Sequence, residues 1–286
     1  MASSIPADGA GGGDGDGDGG GGVEIREVWA ENLEAEFAVI RSIVDEYPFI
    51  ALDTEYPGVA FRVLSCRDSY QWRNYDNLAA NVDVLHLIQV GLTFSDALGR
   101  LPCLPRPCLW QFNFREFDPE AHPCAPDSIA LLRAAGIDFA RNRAQGVSAA
   151  RFAELLMTSG AVLNDSVTWI TFHGSSDIAY LLKILKPLSM PETIRGFCIL
   201  AKIFFPTLYD VKHLMKFCRG PLYGGLKKLA ESLGVERVGI SHQAGSDSLV
   251  TARCFRRLLD LHLKDRAEQY AGILYGLNDD PSVRLY

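Results

Sequence analysis

The chain has 286 residues, 48% of them hydrophobic and 22% charged, with a formal net charge of −7. No apolar run approaches the ~18 residues a bilayer span needs, and the N-terminus has neither the basic start nor the apolar stretch of a secretory signal. Seven cysteines, an odd number, do not read as an extracellular disulfide framework, so the expected locations are cytoplasm and nucleus, without membrane attachment.

Residues 1–22 hold ten glycines, four aspartates and no Lys or Arg, and are expected to form a disordered tail with nothing to bury. Residues 23–286 are expected to form one α/β domain with a mixed central sheet flanked by helices. Its charge is split. Val23 to Asp177 carries 12 Arg, no Lys and 21 acids, whereas Ile178 to Lys264 carries 14 Lys or Arg against 6 acids. The basic stretch could follow a phosphate backbone or simply be solvated helix faces.

In chain order, Val28, Leu33, Phe37, Ile40 and Ile43 predict a helix, and FIALDTEYPG a strand ended by Pro57 and Gly58. Residues 61–81, rich in Arg, Asn, Asp and Tyr, read as loop with a helical turn. VDVLHLIQVGLTF and WQFNF predict two strands, antiparallel beside the first and joined by the loop from Leu98 to Pro107. SIALLRAAG and AARFAELLMTSG predict helices, the second closing on Gly160. WITFHG reads as a strand and SSDIAYLLKIL as a helix capped by Ser175 or Ser176. The remainder reads as mainly helical, with breaks at Pro187, Pro206, Gly220–Gly225 and Gly234–Gly245.

Asp53 and Glu55 alternate along the first predicted strand, so both carboxylates face one side while Ile50 and Leu52 face the other. Two like charges at an apolar strand's end cost free energy unless a cation joins them, although a solvated pair at the rim is the plainer alternative. Asp177 falls in the first turn of a helix directly after a buried-looking strand, where the helix dipole favours a carboxylate. In HQAGSDSL, His242 lies five residues before Asp247, close enough to hang over a site that Asp247 helps to build. It could take a proton there from a bound water, or be a surface histidine beside a capped helix. Four acids and one histidine together weigh more than any of them alone.

LDTEYPG, FHGSSD and HQAGSD, with Asp53, Glu55, Asp177, His242 and Asp247, resemble the DEDD-type exonucleases of the histidine subclass, which have an RNase H-like fold. EVWAENL, WQFNF, FAELLMTSG, YDVKHLM, YGGLKKLAE and YGL narrow the resemblance to the CAF-type deadenylase subunit of the Ccr–Not complex. It runs from about Val23 to Leu277. It implies a DEDD-type exoribonuclease that removes poly(A) tails from messenger RNA in the 3′→5′ direction and releases 5′-AMP. Asp53, Glu55, Asp177 and Asp247 would ligate two divalent cations, Mg²⁺ in first place and Mn²⁺ in second, with Asp53 bridging both and His242 as general base. It implies single-stranded poly(A) RNA, a leucine-rich-repeat deadenylase and the large Not scaffold as partners, without homo-oligomerisation. The pair Ser175-Ser176 departs from the Gly-Tyr the resemblance leads one to expect. The alternatives are a scaffold with little chemistry and a general 3′-exonuclease without poly(A) preference.

Other features have plainer readings. Cys103, Cys108, His122 and Cys124 fit no common zinc spacing. His86 is expected in the sheet or core, His173 as a structural support beside Asp177, and Asp210 as a helix cap. Cys198, Cys218 and Cys254 should pack as small hydrophobes. Tyr223 is a candidate for stacking on a base.

Overall fold

The computed structural model describes residues 22–64, 69–220 and 222–279, so the tail expected over residues 1–22 lies outside the described residues except for Gly22. Six strands form one sheet: β1 (Glu24–Val28), β2 (Phe49–Glu55), β3 (Gln89–Ser95), β4 (Cys108–Asn113), β5 (Thr168–Thr171) and β6 (Thr207–Asp210). Their order across the sheet is β1-β4-β3-β2-β5-β6. The β2-β3-β4 pairings are antiparallel, while β1 joins β4, and β5 and β6 extend from β2, all in parallel. The mixed sheet is the one expected. Among the described residues, no helix is long and apolar enough to cross a membrane.

The helices are α1 (Leu33–Ile43), α2 (Tyr70–Val82), α3 (Pro126–Ala134), α4 (Phe139–Gln145), α5 (Ala149–Met157), α6 (Ser175–Leu185), α7 (Ile194–Phe204), α8 (Val211–Leu214), α9 (Leu226–Leu233) and α10 (Ala244–Leu258). Alternation along β2 divides them into two layers. Ile50 and Leu52 enter a core built with Phe37 and Ile40 of α1, Phe152 of α5 and Leu181 of α6. Ala51, one residue out of phase, joins Val250, Cys254 and Leu258 of α10 and Leu229 of α9 on the opposite face. Asp53 and Glu55 share the phase of Ala51 and therefore point toward the α10 layer.

Four local expectations are corrected. Val28 ends an edge strand, β1, rather than opening the first helix; it happens to sit in phase with the helical pattern that follows. Residues 70–82 form a thirteen-residue helix, capped by Ser69 Oγ accepting from Trp72 N. Its buried side chains are Tyr75, Asn81 and Val82, so no apolar stripe marks it in the sequence. The helix ending in FAELLM stops at Met157, and Gly160 takes its left-handed conformation in the turn beyond. Gly174, not Ser175 or Ser176, stands at the cap of α6, and no side chain caps that end. In addition, β6 is a four-residue strand within a region expected to be helical.

The edge strand β1 is held by a buried carboxylate. Glu36 of α1 accepts from Arg26 Nε and Nη2, each at 2.8 Å, and from Trp110 Nε1 at 2.8 Å. Removing one partner of such a cluster leaves a charge and an indole N–H unsatisfied in the interior. Glu36→Ala should lower unfolding free energy by about 3 kcal/mol in urea titration. Glu34→Ala breaks an exposed pair with Arg151 and should leave the midpoint nearly unmoved.

Candidate metal centre and catalytic cleft

The end of β2, the segment before α10 and the first turn of α10 meet at a cleft of 490 Å³ whose walls include Asp53, Glu55, His242 and Asp247. Ligand-capable atoms of Glu55, His242 and Asp247 lie within 4.8 Å of one another. Asp53 adds a third carboxylate to the cleft wall. Asp177, in the first turn of α6, is buried and turned toward β2, where its Oδ1 accepts from Thr54 Oγ1 at 2.6 Å. The five residues expected from the sequence thus come from two helix N-termini, one strand and one loop, around one place.

The backbone fixes their positions by identifiable means. His242 holds a left-handed φ of 65°, uncommon for a residue with a Cβ, and its N–H donates to Asp247 Oδ2 at 2.9 Å. The N-cap residue of α10, Gln243, supplies no side-chain cap. Instead, strand glutamines receive the first amides: Ala244 N donates to Gln89 Oε1 at 3.3 Å and Gly245 N to Gln111 Oε1 at 2.8 Å. Gln111 Nε2 in turn donates to Glu27 Oε1 and Gln243 Oε1, and Asn113 Nδ2 donates to Glu27 Oε2. The polar letters of LIQV and WQFNF therefore anchor the helix that carries Asp247, since buried amides left without acceptors are costly.

Asp210 caps α8 as expected, accepting from Lys212 N at 2.9 Å, and it does more. Its carboxylate also accepts from His173 N, Gly174 N and Tyr275 N, tying the turn before Asp177 to the C-terminal segment. His173 enters this tie through its backbone N–H, and its ring stands edge-on to Tyr275 at 5.1 Å. His86 is corrected: it is exposed, precedes β3, and lies 4.9 Å from the ring of His122. Cys198 and Cys254 are buried in apolar clusters, and Cys218 packs at the edge of one. Among the described residues, Cys103, Cys108, His122 and Cys124 form no metal-compatible group. Tyr223 is exposed and lies under the Lys228 ammonium, 3.6 Å from its ring centre.

Sequence reasoning missed Arg237. Its guanidinium pairs with Asp247 Oδ1 at 2.5 Å and donates to Ser246 Oγ at 2.8 Å. It sits in the irregular segment between α9 and α10, where no periodicity singles it out. Missed too was Thr54, which reads as an ordinary strand residue until β2 meets α6.

The cluster's electrostatics call for a cation. Burial, then the charges of Asp177, Asp247 and Glu55, push the Asp53 carboxyl well above its ordinary range, with Arg237 opposing. Burial, Asp247 and Asp177 push Glu55 up to about 8. Burial raises Asp177 to about 7 although the Thr54 hydrogen bond opposes it. An all-oxygen set of crowded carboxylates with one imidazole fits a hard divalent cation, which reverses the repulsion that raises these groups.

A pH dependence follows. A carboxylate whose folded pKa exceeds its unfolded value stabilises the fold most at low pH, and that contribution disappears as pH climbs through the folded value. In EDTA, stability contributed by Glu55 and Asp177 should therefore fall between about pH 5 and pH 8. Mg²⁺ must displace those protons, so its stabilising shift in Tm should be larger at pH 8 than at pH 6 by scanning calorimetry. An equal or larger shift at pH 6 contradicts this account.

Comparison with known proteins gives concordant results. Residues 28–155 match the family described as CAF1 family ribonuclease. "Probable CCR4-associated factor 1 homolog 7" of Arabidopsis thaliana is 53% identical over 258 residues, spanning 89% of this chain and 94% of the relative. Poly(A) ribonuclease pop2 of Schizosaccharomyces pombe is 42% identical over 91% of this chain and 76% of its own length. The Mg²⁺ and Mn²⁺ bound structure of S. pombe Pop2p superposes with a TM-score of 0.83 at 41% identity, covering 88% of this chain and 99% of that one. The structure of the yeast NOT1 MIF4G domain co-crystallized with CAF1 gives a TM-score of 0.74 at 34% identity, over 88% of this chain and 96% of the other.

Proposed function

The chain belongs to the CAF1 family of ribonucleases, and from that premise we propose that it shortens poly(A) RNA from the 3′ end, releasing 5′-AMP. The observation that carries the reading is the convergence of Asp53, Glu55, Asp177, Asp247 and His242 on one crowded, cation-demanding place.

In this reading Asp53, Glu55, Asp177 and Asp247 would hold two divalent cations, with Mg²⁺ preferred over Mn²⁺. When bound, such a pair supplies a nucleophilic water at neutral pH and charge stabilisation for the leaving 3′-oxygen. His242 faces the cleft on a backbone pinned to Asp247 and takes the proton from the attacking water, a role worth ~10²–10⁴-fold. The bond from phosphorus to the upstream 3′-oxygen breaks, and the terminal nucleotide leaves with its 5′-phosphate. Arg237 keeps Asp247 from turning out of the cleft and offsets part of the carboxylate charge.

Docking on the MIF4G domain of a Not-type scaffold belongs to the same proposal, supported by the similarity to the yeast CAF1 structure. A leucine-rich-repeat deadenylase as further partner, and work in both cytoplasm and nucleus, extend it on the sequence resemblance alone.

The test is a time course on 5′-labelled RNA ending in about twenty adenosines, longer than a typical single-strand site, beside a matching oligouridine tail. The expected result is a ladder shortening from the 3′ end of the adenosine tail in Mg²⁺, absent in EDTA. An intact tail in Mg²⁺ overturns the proposal. Equal loss of both tails removes the poly(A) preference and leaves a general exonuclease.

A further inference from the structure

A second cavity, of 280 Å³, adjoins the catalytic cleft between α2, the N-terminus of α6 and the Tyr275–Leu277 turn. Tyr56 and Gly58 line both, and Tyr56 directly follows Glu55 in the chain, so the two spaces share a wall beside the carboxylate cluster. We propose that this cavity holds an adenine base of the nucleotide next to the scissile phosphate, with Asn74 reading the base and Tyr70 stacking on it. The inference rests on the exonuclease reading above and adds a base-selecting pocket to it.

The walls suit a flat heterocycle. Tyr70, Tyr275 and His173 supply aromatic surface, and Tyr70 is 61% exposed at the first turn of α2. One face of Tyr56 is already covered, its ring stacked on Tyr180 at 4.8 Å, so Tyr56 forms wall rather than lid. Ser175 and Ser176 keep the α6 side open because their side chains are small. Bases stack on aromatic rings with little regard for identity, so these walls hold a base without choosing it.

The choice lies with one amide. Three asparagines line the cavity, and two of them are committed. Asn81 Oδ1 accepts from Ala60 N and Phe61 N, and Asn77 Oδ1 accepts from Val63 N, so both secure the chain after β2. Asn74 Nδ2 donates to Gly276 O at 3.2 Å, while its Oδ1 accepts no hydrogen bond among the described residues. An amide in that state retains one N–H and a full acceptor. Adenine matches it, offering its N6 amino group to Oδ1 and its N7 to the remaining N–H. Guanine would present O6 to Oδ1, acceptor against acceptor, and pyrimidines have no N7.

A cation marks the border between the two spaces. Lys212 Nζ lies 5.6 Å from the ring centre of Phe172, which lines the cleft, and 5.6 Å from that of Tyr275, which lines the cavity. A phosphate passing from one space to the other would meet this ammonium, within the basic stretch that begins at Ile178.

The experiment compares kcat/KM for 5′-labelled RNA ending in about twenty adenosines with the same RNA bearing a short 3′ run of guanosines, in wild type, Asn74→Leu and Tyr70→Ala. Asn74→Leu should reduce the ratio of adenosine-ended to guanosine-ended rates about tenfold, mainly by slowing the adenosine substrate. Tyr70→Ala should raise KM for both about tenfold and leave their ratio unchanged, because stacking is blind to the base. An unchanged ratio in an Asn74→Leu protein with wild-type Tm overturns the pocket. Should Asn74→Leu fail to fold, the exposed Tyr70 decides: an unaltered KM in Tyr70→Ala overturns it equally. A wild-type protein that shortens adenosine tails while the variants behave like it defeats the pocket alone; a wild type inert on them defeats the deadenylase reading beneath it.

Discussion

Asp53→Asn should lose at least about a hundredfold in kcat on adenosine-tailed RNA and, in EDTA at pH 8, melt at a higher temperature than the wild type. The two effects have one origin. The Asp53 carboxyl is held far above its ordinary range by burial and by three neighbouring acids, Asp177, Asp247 and Glu55. Without a cation, its charge is a liability to the fold; with one, it is the attraction that holds the ion. Asparagine keeps the shape and removes the charge, so repulsion in the cluster falls and the electrostatic grip on the ion weakens. The Mg²⁺-induced rise in Tm should shrink accordingly. Activity above about a tenth of wild type would remove Asp53 from the proposed metal-holding set. A melting temperature below wild type in EDTA would mean that hydrogen bonding, rather than charge, dominates at this position.

Gly91→Ala should destabilise the protein by about 3 kcal/mol or more and take the catalytic activity with it. Gly91 lies in the middle of β3, and a Cβ built there would sit 1.9 Å from Ala244 O and 2.2 Å from Ala244 C. Those atoms are backbone, so no rotamer change relieves the overlap; the N-terminus of α10 has to move. That end is anchored by Gln89 Oε1 and Gln111 Oε1 on its first amides, and it carries Asp247 with His242 just before it. Displacing it breaks buried hydrogen bonds and opens the carboxylate cluster together. Urea denaturation reads the first effect, and the tail-shortening assay the second. A soluble Gly91→Ala protein with wild-type stability would show that β3 and α10 are not in the close contact described.

Asp53 and Glu55 are legible because a strand has period two: once FIALDTE is a strand, their common face follows, and Ala51 in the α10 layer agrees with it. Asp177 is legible as a first-turn carboxylate, but its cap is not. Ser175 and Ser176 read as caps from composition, whereas the backbone places Gly174 there and Asp210 collects the turn's amides from another strand. The strand β1 is hidden because Val28 falls in register with the helix that follows it. The helix α2 is hidden because its buried side is Tyr75 and an amide, Asn81, that holds the chain after β2. Periodicity detects apolar stripes, and neither element has one.

The sequence by itself determined the sheet's central strands, the apolar faces that cover them, the chemical types available to the site and, through its longer words, the family. Those are local or additive properties: alternation, helical period, a carboxylate's charge. Only the tertiary structure decided that Arg237 pairs with Asp247, that Thr54 meets Asp177, that strand glutamines cap α10, and that Asn74 faces a cavity beside Glu55. Each of these joins groups far apart in the chain or set in irregular backbone. Their meeting depends on how the layers pack, which no periodicity in the chain records.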